Sequence, residues 1–286
     1  MTSSEHQLTA AAPFDFGLSL RFVGGFSPTA GEQQVGSGRL VKALRVGGET
    51  VLAEVSAQGS AVDVRLTGAR GDAAVEAALD RIRFFLSLDD ELEDFYALAD
   101  DAFRPVVERL YGYHQVKFSS PWENVAWAIL SQRTPRAVAV QAKAALIERT
   151  GNLFEADGIV YPAFPDAEQV AALDDLAEVI GNVRKAGYLQ GAARRWLDLS
   201  ETELREAPYE EAKEQLLSLP GIGPWSSMFV LIRGLGRMDE MPTEKEFLRA
   251  AARVYGRALD EKELIQLSER YGPWRGYWAH YLRADG

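Results

Sequence analysis

Residues 216 to 225 read LLSLPGIGPW, and no other stretch limits the fold as tightly. A leucine-rich helical turn ends at Leu219, and the four residues Pro220-Gly221-Ile222-Gly223 must carry the chain into a second helix. Pro224 is harmless at the start of that helix, because a first-turn N–H has no intrahelical acceptor. Two glycines around one apolar residue let the backbone turn tightly and come close to an external group. The N-terminal amides of the following helix point the same way, which makes the loop a place for a phosphate oxygen. Ile222 is the plug expected beneath it. An ordinary pair of antiparallel helices would use the same residues, and a lone GxG does not separate the two readings.

The rest of the chain divides by period. From Phe14 to about Gly68 it alternates and turns like an antiparallel sheet, in the runs FGLSLRFVGGF, RLVKALRV, TVLAEVSA and SAVDVRLTG, with Gly47-Gly48 and Gly59 between the later runs. Residues 72 to 87 switch to helical spacing, with Val75, Leu79, Ile82 and Phe85 three or four apart, so one helix covers the sheet. The acidic run LDDELED, residues 88 to 94, is the boundary candidate. Beyond it everything reads helical. Ser120-Pro121-Trp122-Glu123 has the form of a capping box, Thr134-Pro135 starts a second helix that stops at Gly151, and further helices are expected near 167–180, 183–197, 209–218, 224–234, 244–255, 261–270 and 273–283. The expected fold is α+β: an N-terminal antiparallel sheet domain with a covering helix over 1–95, then a helical domain over 96–286 that carries the hairpin.

Composition narrows the chemistry. The 286 residues include no cysteine, which removes disulfides, thiol nucleophiles, cysteine-bound zinc and iron–sulfur clusters together. His6, His114 and His280 show no metal-ligand spacing and offer no obvious Ser-His-Asp triad. The net charge of −11 argues against a protein that coats nucleic acid through basic side chains. The N-terminal segment MTSSEHQLTAAAPFDF lacks a basic, then apolar, leader pattern, and no stretch has transmembrane length, so a soluble cytoplasmic protein without a membrane partner is expected.

The hairpin, continued through LPGIGPWSSMFVLIRGLGRMDEMP, resembles that of the helix-hairpin-helix DNA glycosylases, specifically the 3-methyladenine glycosylase II (AlkA-type) branch. SSPWENVAWAILSQRTPRAVAVQAKAALIERTG is similar to that family's first core helices, FPDAEQVAALDDLAEVIGNVRKAGYLQGAARRWL to its middle, and YGPWRGYWAHYL to its closing segment. The likeness is strong over residues 118 to 283 and only architectural before that.

The resemblance implies excision of alkylated purines, of the 3-methyladenine and 7-methylguanine type, from double-stranded DNA after the nucleotide is turned out of the duplex. In the family an Asp two residues after a Pro faces the sugar. Here Met241-Pro242-Thr243-Glu244 puts Glu244 at that place, a departure that carries the charge one methylene further out. Thr243 and Glu246 form a T-x-x-E capping box, which assigns Glu246 to structure and leaves Glu244 free. Bifunctional relatives hold a Lys two residues after the glycine pair. This chain has Trp225, so hydrolysis without strand cleavage is expected.

Trp225, Phe229 and Gln132 map to the base pocket, although aromatics at i and i+4 serve a core equally well. Gly221, Ile222 and Gly223 map to the strand-gripping hairpin, with a monovalent cation on the carbonyls near Gly221 and Gly223 as the one metal the resemblance suggests. Arg133 maps to the wedge that fills the gap in the duplex, or else ends its helix in solvent. Arg275 is expected to pair with a buried acid, and Arg184-Lys185 to contact phosphate or brace the fold. Where the family example has a Trp-Tyr pair after its closing segment, this chain has Arg283-Ala284, which implies a more open or differently polar pocket. No cofactor and a monomer are expected. A lesion-binding protein that lost catalysis with the Asp, and a scaffold that uses the hairpin for protein contacts, are the rival readings.

Overall fold

The computed structural model describes residues 2–286. Its N-terminal part is a five-stranded antiparallel sheet of β1 (Ser3–Thr9), β2 (Gln33–Gly36), β3 (Arg39–Val46), β4 (Glu49–Gln58) and β5 (Ala61–Thr67), in the order β1-β5-β4-β3-β2. Alternation sets its faces: Val62, Val64 and Leu66 of β5 are buried while Asp63 and Arg65 face out. The register lays Val55 against Val64 on one side and Leu40 on the other, so one apolar face runs across the strands. Helix α1 (Phe16–Gly25) and helix α2 (Asp72–Phe85) cover it, α2 through Ala78, Ile82 and Phe85. Each such Val, Leu or Phe contributes roughly 1.5–3 kcal/mol by leaving water.

One expectation fails here. FGLSLRFVGGF, read as a strand from its apolar alternation, is helix α1. The Asp15 carboxylate accepts the Leu18 N–H at 3.1 Å and caps it, and Phe16, Leu20 and Val23 meet the sheet at helical spacing. The strand that closes the sheet is instead the polar β1, an edge strand whose mostly exposed side chains hide its period.

The remainder is helical: α3 (Glu93–Ala97), α4 (Arg104–Arg109), α5 (Pro121–Ser131), α6 (Arg136–Thr150), α7 (Ala167–Ala171), α8 (Leu176–Val179), α9 (Val183–Trp196), α10 (Glu201–Glu206), α11 (Tyr209–Leu217), α12 (Pro224–Leu235), α13 (Lys245–Tyr255), α14 (Glu261–Glu269) and α15 (Arg275–Ala284). The single helix expected over 167–180 is two, α7 and α8, separated at Asp174-Asp175. One hairpin interrupts the helices: β6 (Leu153–Ala156) and β7 (Ile159–Pro162) turn through Asp157-Gly158, both at positive φ, a sequence suited to a two-residue hairpin. Its Phe154 and Tyr161 pack on Ala43 and Leu52, on the sheet face opposite the covering helices.

Helix α5 is buried from Pro121 to Leu130 and lies against α12 in the middle of one core. Ser120 Oγ accepts the Glu123 N–H at 3.1 Å, but the Glu123 carboxylate does not return to Ser120; it takes Lys143 and Ser119 instead, so half of the expected box forms. Gly151 closes α6 in the left-handed conformation, as expected. A second core, rich in aromatics, gathers Phe95, Phe103, Tyr271, Trp278 and Tyr281. Among the described residues no helix is long and apolar enough to cross a membrane.

Candidate nucleic-acid interface and base site

The loop between α11 and α12 has the geometry its sequence implies. Gly221 sits at φ +83°, and a Cβ there would lie 2.9 Å from Tyr188 Cβ, so the position excludes side chains by conformation and by space. Ile222 is buried among the leucines of the same core. Gly223 O accepts the Ser227 N–H at 2.8 Å and opens α12. Among the described residues the N–H groups of Gly221, Gly223, Trp225 and Ser226 have no acceptor in the protein. Four unused amide donors around one turn form an anion-binding surface without a basic side chain.

The carbonyls on that turn are in use. Gln132 Nε2 donates to Gly221 O at 2.6 Å, with Ser226 Oγ 3.3 Å away, and Gly223 O holds Ser227. Both carbonyls that the resemblance offers to a monovalent cation therefore already accept one hydrogen bond each, which leaves one lone pair on each oxygen. Among the described residues no cluster of His, Asp and Glu has metal-binding form. Gln132 is thus placed as a brace between the end of α5 and the hairpin. Next to it Arg133 is exposed at φ +48°, at the apex of the α5–α6 turn and away from any carboxylate partner. Lys185 holds the base of that turn through Leu130 O and Thr134 Oγ1, and desolvation pushes its ammonium below the usual lysine range. Arg184 packs over the Tyr188 ring and bonds its hydroxyl at 3.0 Å, so both residues are structural in this state.

Trp225 and Phe229 stack, with centroids 5.3 Å apart and planes 14° from parallel. Trp225 is half exposed, and its Nε1–H donates to Glu244 Oε1. The other carboxylate oxygen, Oε2, is buried and has no partner. The hairpin, the indole and the candidate acid are therefore contiguous. Backbone geometry explains the aim of the acid. Glu244 is the residue before α13, extended at φ −65° and ψ 162°; its carbonyl accepts Phe247 N–H at 2.9 Å while its side chain caps nothing. The T-x-x-E box expected around it does not form: Thr243 Oγ1 bonds Glu261 at 3.0 Å and Glu246 pairs with Arg283 at 3.0 Å. Arg275 likewise departs from expectation, since no acid pairs with it among the described residues and its buried Nε has no acceptor.

Sequence reasoning missed the deeper wall of the site. From Phe229 the rings continue to Phe118 at 6.0 Å, then Phe26 at 5.3 Å and Phe22 at 5.1 Å. Arg233 lies over the last two, 5.0 Å from the Phe26 ring centre and 4.7 Å from that of Phe22. Burial, against partial compensation from nearby tyrosines, pushes its guanidinium down to about 10. His280, whose Nε2 meets the Tyr113 hydroxyl at 3.1 Å, is held far below the usual histidine range by burial, then by Arg233 and Arg283, so its imidazole is neutral at physiological pH. The missed signal was the i, i+4, i+8 spacing of Trp225, Phe229 and Arg233 on α12. Phe22 and Phe26 were hidden because their segment was read as a strand.

The architecture that carries this site is shared with known proteins. No family model matches the chain. The structure superimposes on a 3-methyladenine DNA glycosylase from Archaeoglobus fulgidus with a TM-score of 0.77, 26% identity and 97% of each chain covered. The sequence is 28% identical over 216 residues to a DNA-3-methyladenine glycosylase of Bacillus subtilis, covering 72% of this chain and 71% of that one. It is 28% identical over 208 residues to a probable bifunctional transcriptional activator/DNA repair enzyme AlkA of Mycobacterium tuberculosis, of whose length it spans 42%. In fold and in sequence the chain is similar to the helix-hairpin-helix DNA glycosylases. Among these it resembles the AlkA type.

Proposed function

We propose that this protein is a DNA glycosylase of base-excision repair that hydrolyses the N-glycosidic bond of damaged purines in double-stranded DNA, alkylated purines among them. One observation carries the reading: Glu244 is held by the Trp225 indole beside four unpaired amides, with its second oxygen buried and unpartnered. The amides of Gly221, Gly223, Trp225 and Ser226 hold a phosphate of the bent strand, Ile222 seats the loop, and Arg133 fills the stack that the extruded nucleotide leaves, which offsets part of the few kcal/mol lost in unpairing. The base lies along Trp225 and Phe229. As its bond to the sugar lengthens, positive charge gathers on the ring, and the unpartnered Glu244 oxygen stabilises that charge or orients the water that ends it. A carboxylate desolvated in this way acts more strongly than one in bulk water.

The position that would need an amine for strand cleavage is Trp225, so water is the acceptor and no lyase step follows. The division of the chain near residue 95 and action as a soluble monomer belong to the same reading. Base release from duplexes carrying 7-methylguanine, hypoxanthine or ethenoadenine tests it. Glu244→Gln is expected to lose at least a hundredfold in single-turnover rate and Glu244→Asp to stay within tenfold, while both still bind duplexes with an abasic-site analogue. Equal release by wild type and both variants removes Glu244 from the chemistry; binding without release by wild type leaves a lesion-binding protein.

A further inference from the structure

Among the described residues the buried lysines are paired with carboxylates, whereas a buried guanidinium near the candidate site is not. Lys143 touches Glu123 and Glu32 at 2.5 Å, Lys42 approaches Glu32 at 3.6 Å and Lys117 approaches Asp90 at 3.8 Å. Arg233 is 7% exposed and forms neither an ion pair nor a side-chain hydrogen bond among the described residues, and its Nη2 is buried without an acceptor. A guanidinium removed from water with unused donors is costly unless an acceptor arrives.

Its place says which acceptor. Arg233 stands two turns along α12 from Trp225, about 12 Å by helix rise, and helical side chains lean toward the N-terminus, here toward Phe229. A purine laid on Trp225 and Phe229 with its sugar at Glu244 extends its six-membered ring in that direction. We propose that Arg233 is a specificity-determining residue that reads the extruded base, favouring a neutral purine with a carbonyl at C6 over a cationic aminopurine. The inference rests on the glycosylase reading above.

Two features set the direction of the preference. The planar fork of an arginine matches the O6 and N7 acceptors of a keto purine, whereas an exocyclic amine at C6 would set donor against donor. The faces of Phe22 and Phe26, which an aromatic pocket would otherwise offer to a positively charged base, already hold the guanidinium, and a second cation beside it is repelled.

The test measures release of hypoxanthine from a synthetic duplex and of 3-methyladenine from methylated DNA, for wild type, Arg233→Met and Arg233→Lys. In Arg233→Met the ratio of hypoxanthine to 3-methyladenine release is expected to fall at least tenfold, and the melting temperature to hold or rise because an unpaired buried charge is gone. Arg233→Lys, which keeps the charge and loses the fork, lowers hypoxanthine release while 3-methyladenine release stays low. If wild type releases either base and both variants leave the ratio unchanged, or lower both rates in proportion, the inference is overturned and the glycosylase reading stands. Absence of release by wild type from either DNA overturns both.

Discussion

At the scale of single residues, the two glycines of the hairpin have different jobs, and their backbones show it. Gly221 is at φ +83° with Tyr188 packed against the place of a Cβ; Gly223 is at φ −109° with nothing within 4 Å of one. Gly221→Ala therefore adds a left-handed alanine to a collision, and a loss of roughly 1–3 kcal/mol is expected in thermal or urea unfolding. Gly223→Ala is expected to unfold within about 0.5 kcal/mol of wild type. Its cost falls on DNA, since a methyl group at an open surface that must meet a strand keeps the phosphate from the free amides; affinity for an abasic-analogue duplex should drop at least tenfold. A fully stable Gly221→Ala, or a Gly223→Ala that binds as wild type does, would contradict this division. The sequence showed the glycine pair plainly but not this asymmetry, because Tyr188 comes from a helix more than thirty residues away in the chain.

At the scale of elements, legibility followed whether local pattern and tertiary demand agreed. Helices α5, α9 and α12 combine apolar periodicity with a cap or a terminal glycine, and their places, like those of α6 and α11, were readable. Helix α1 was not, because Phe16, Leu18 and Leu20 alternate like a strand while Phe16, Leu20 and Val23 also fit a helix, and only Asp15 capping and the sheet beneath decide. With α1 misread, half of the aromatic wall was invisible. Glu244 is singled out by its position in the resemblance, yet its aim at Trp225 depends on the start of α13, where the expected cap is replaced by contacts to α14 and α15.

The turn after α1 is fixed by another contact that no local pattern reveals. Lys143 of α6 bonds Pro28 O at 3.1 Å, Glu123 of α5 and Glu32, and so ties the chain just after Phe26 to the helical core. Burial alone would raise Glu123, but Lys143 and Lys42 with the hydrogen bonds from Lys143 and Ser119 outweigh it and hold the carboxyl down to about 2. An acid depressed in the folded state contributes stability that is present above its unfolded value near 4.5 and is lost as pH falls toward 2. Lys143→Met reverses the sign, because two buried carboxylates without their cation titrate above 4.5 and their destabilisation is relieved on acidification. The variant is expected to lose about 3–5 kcal/mol at pH 7, and its melting temperature to approach that of wild type between pH 7 and pH 5. A gap that stays constant over this range would show that the cluster acts through packing alone.

At the scale of the whole molecule, the net charge of −11 sets the terms on which DNA can be held. An acidic protein is repelled by the duplex at long range, so encounter gains nothing from a basic field and specific grip must come from short-range donors. Backbone amides are suited to this: they are neutral, need no counter-ion, and at the hairpin four of them converge without an internal acceptor. In the proposed function Arg133, exposed on the neighbouring turn, adds one cation where the strands are parted. Binding through amides exchanges fewer counterions than binding through a basic groove. With about three phosphates neutralised, the slope of log K against log salt is expected near −2.7, at about −0.9 per phosphate. Arg133→Ala should make the slope shallower by roughly one phosphate's worth, whereas Gly223→Ala weakens binding at every salt concentration with the slope unchanged. Fluorescence anisotropy with an abasic-analogue duplex from 50 to 200 mM salt separates the cases. A slope steeper than about −5 would require a basic surface and would move the grip on DNA away from the hairpin.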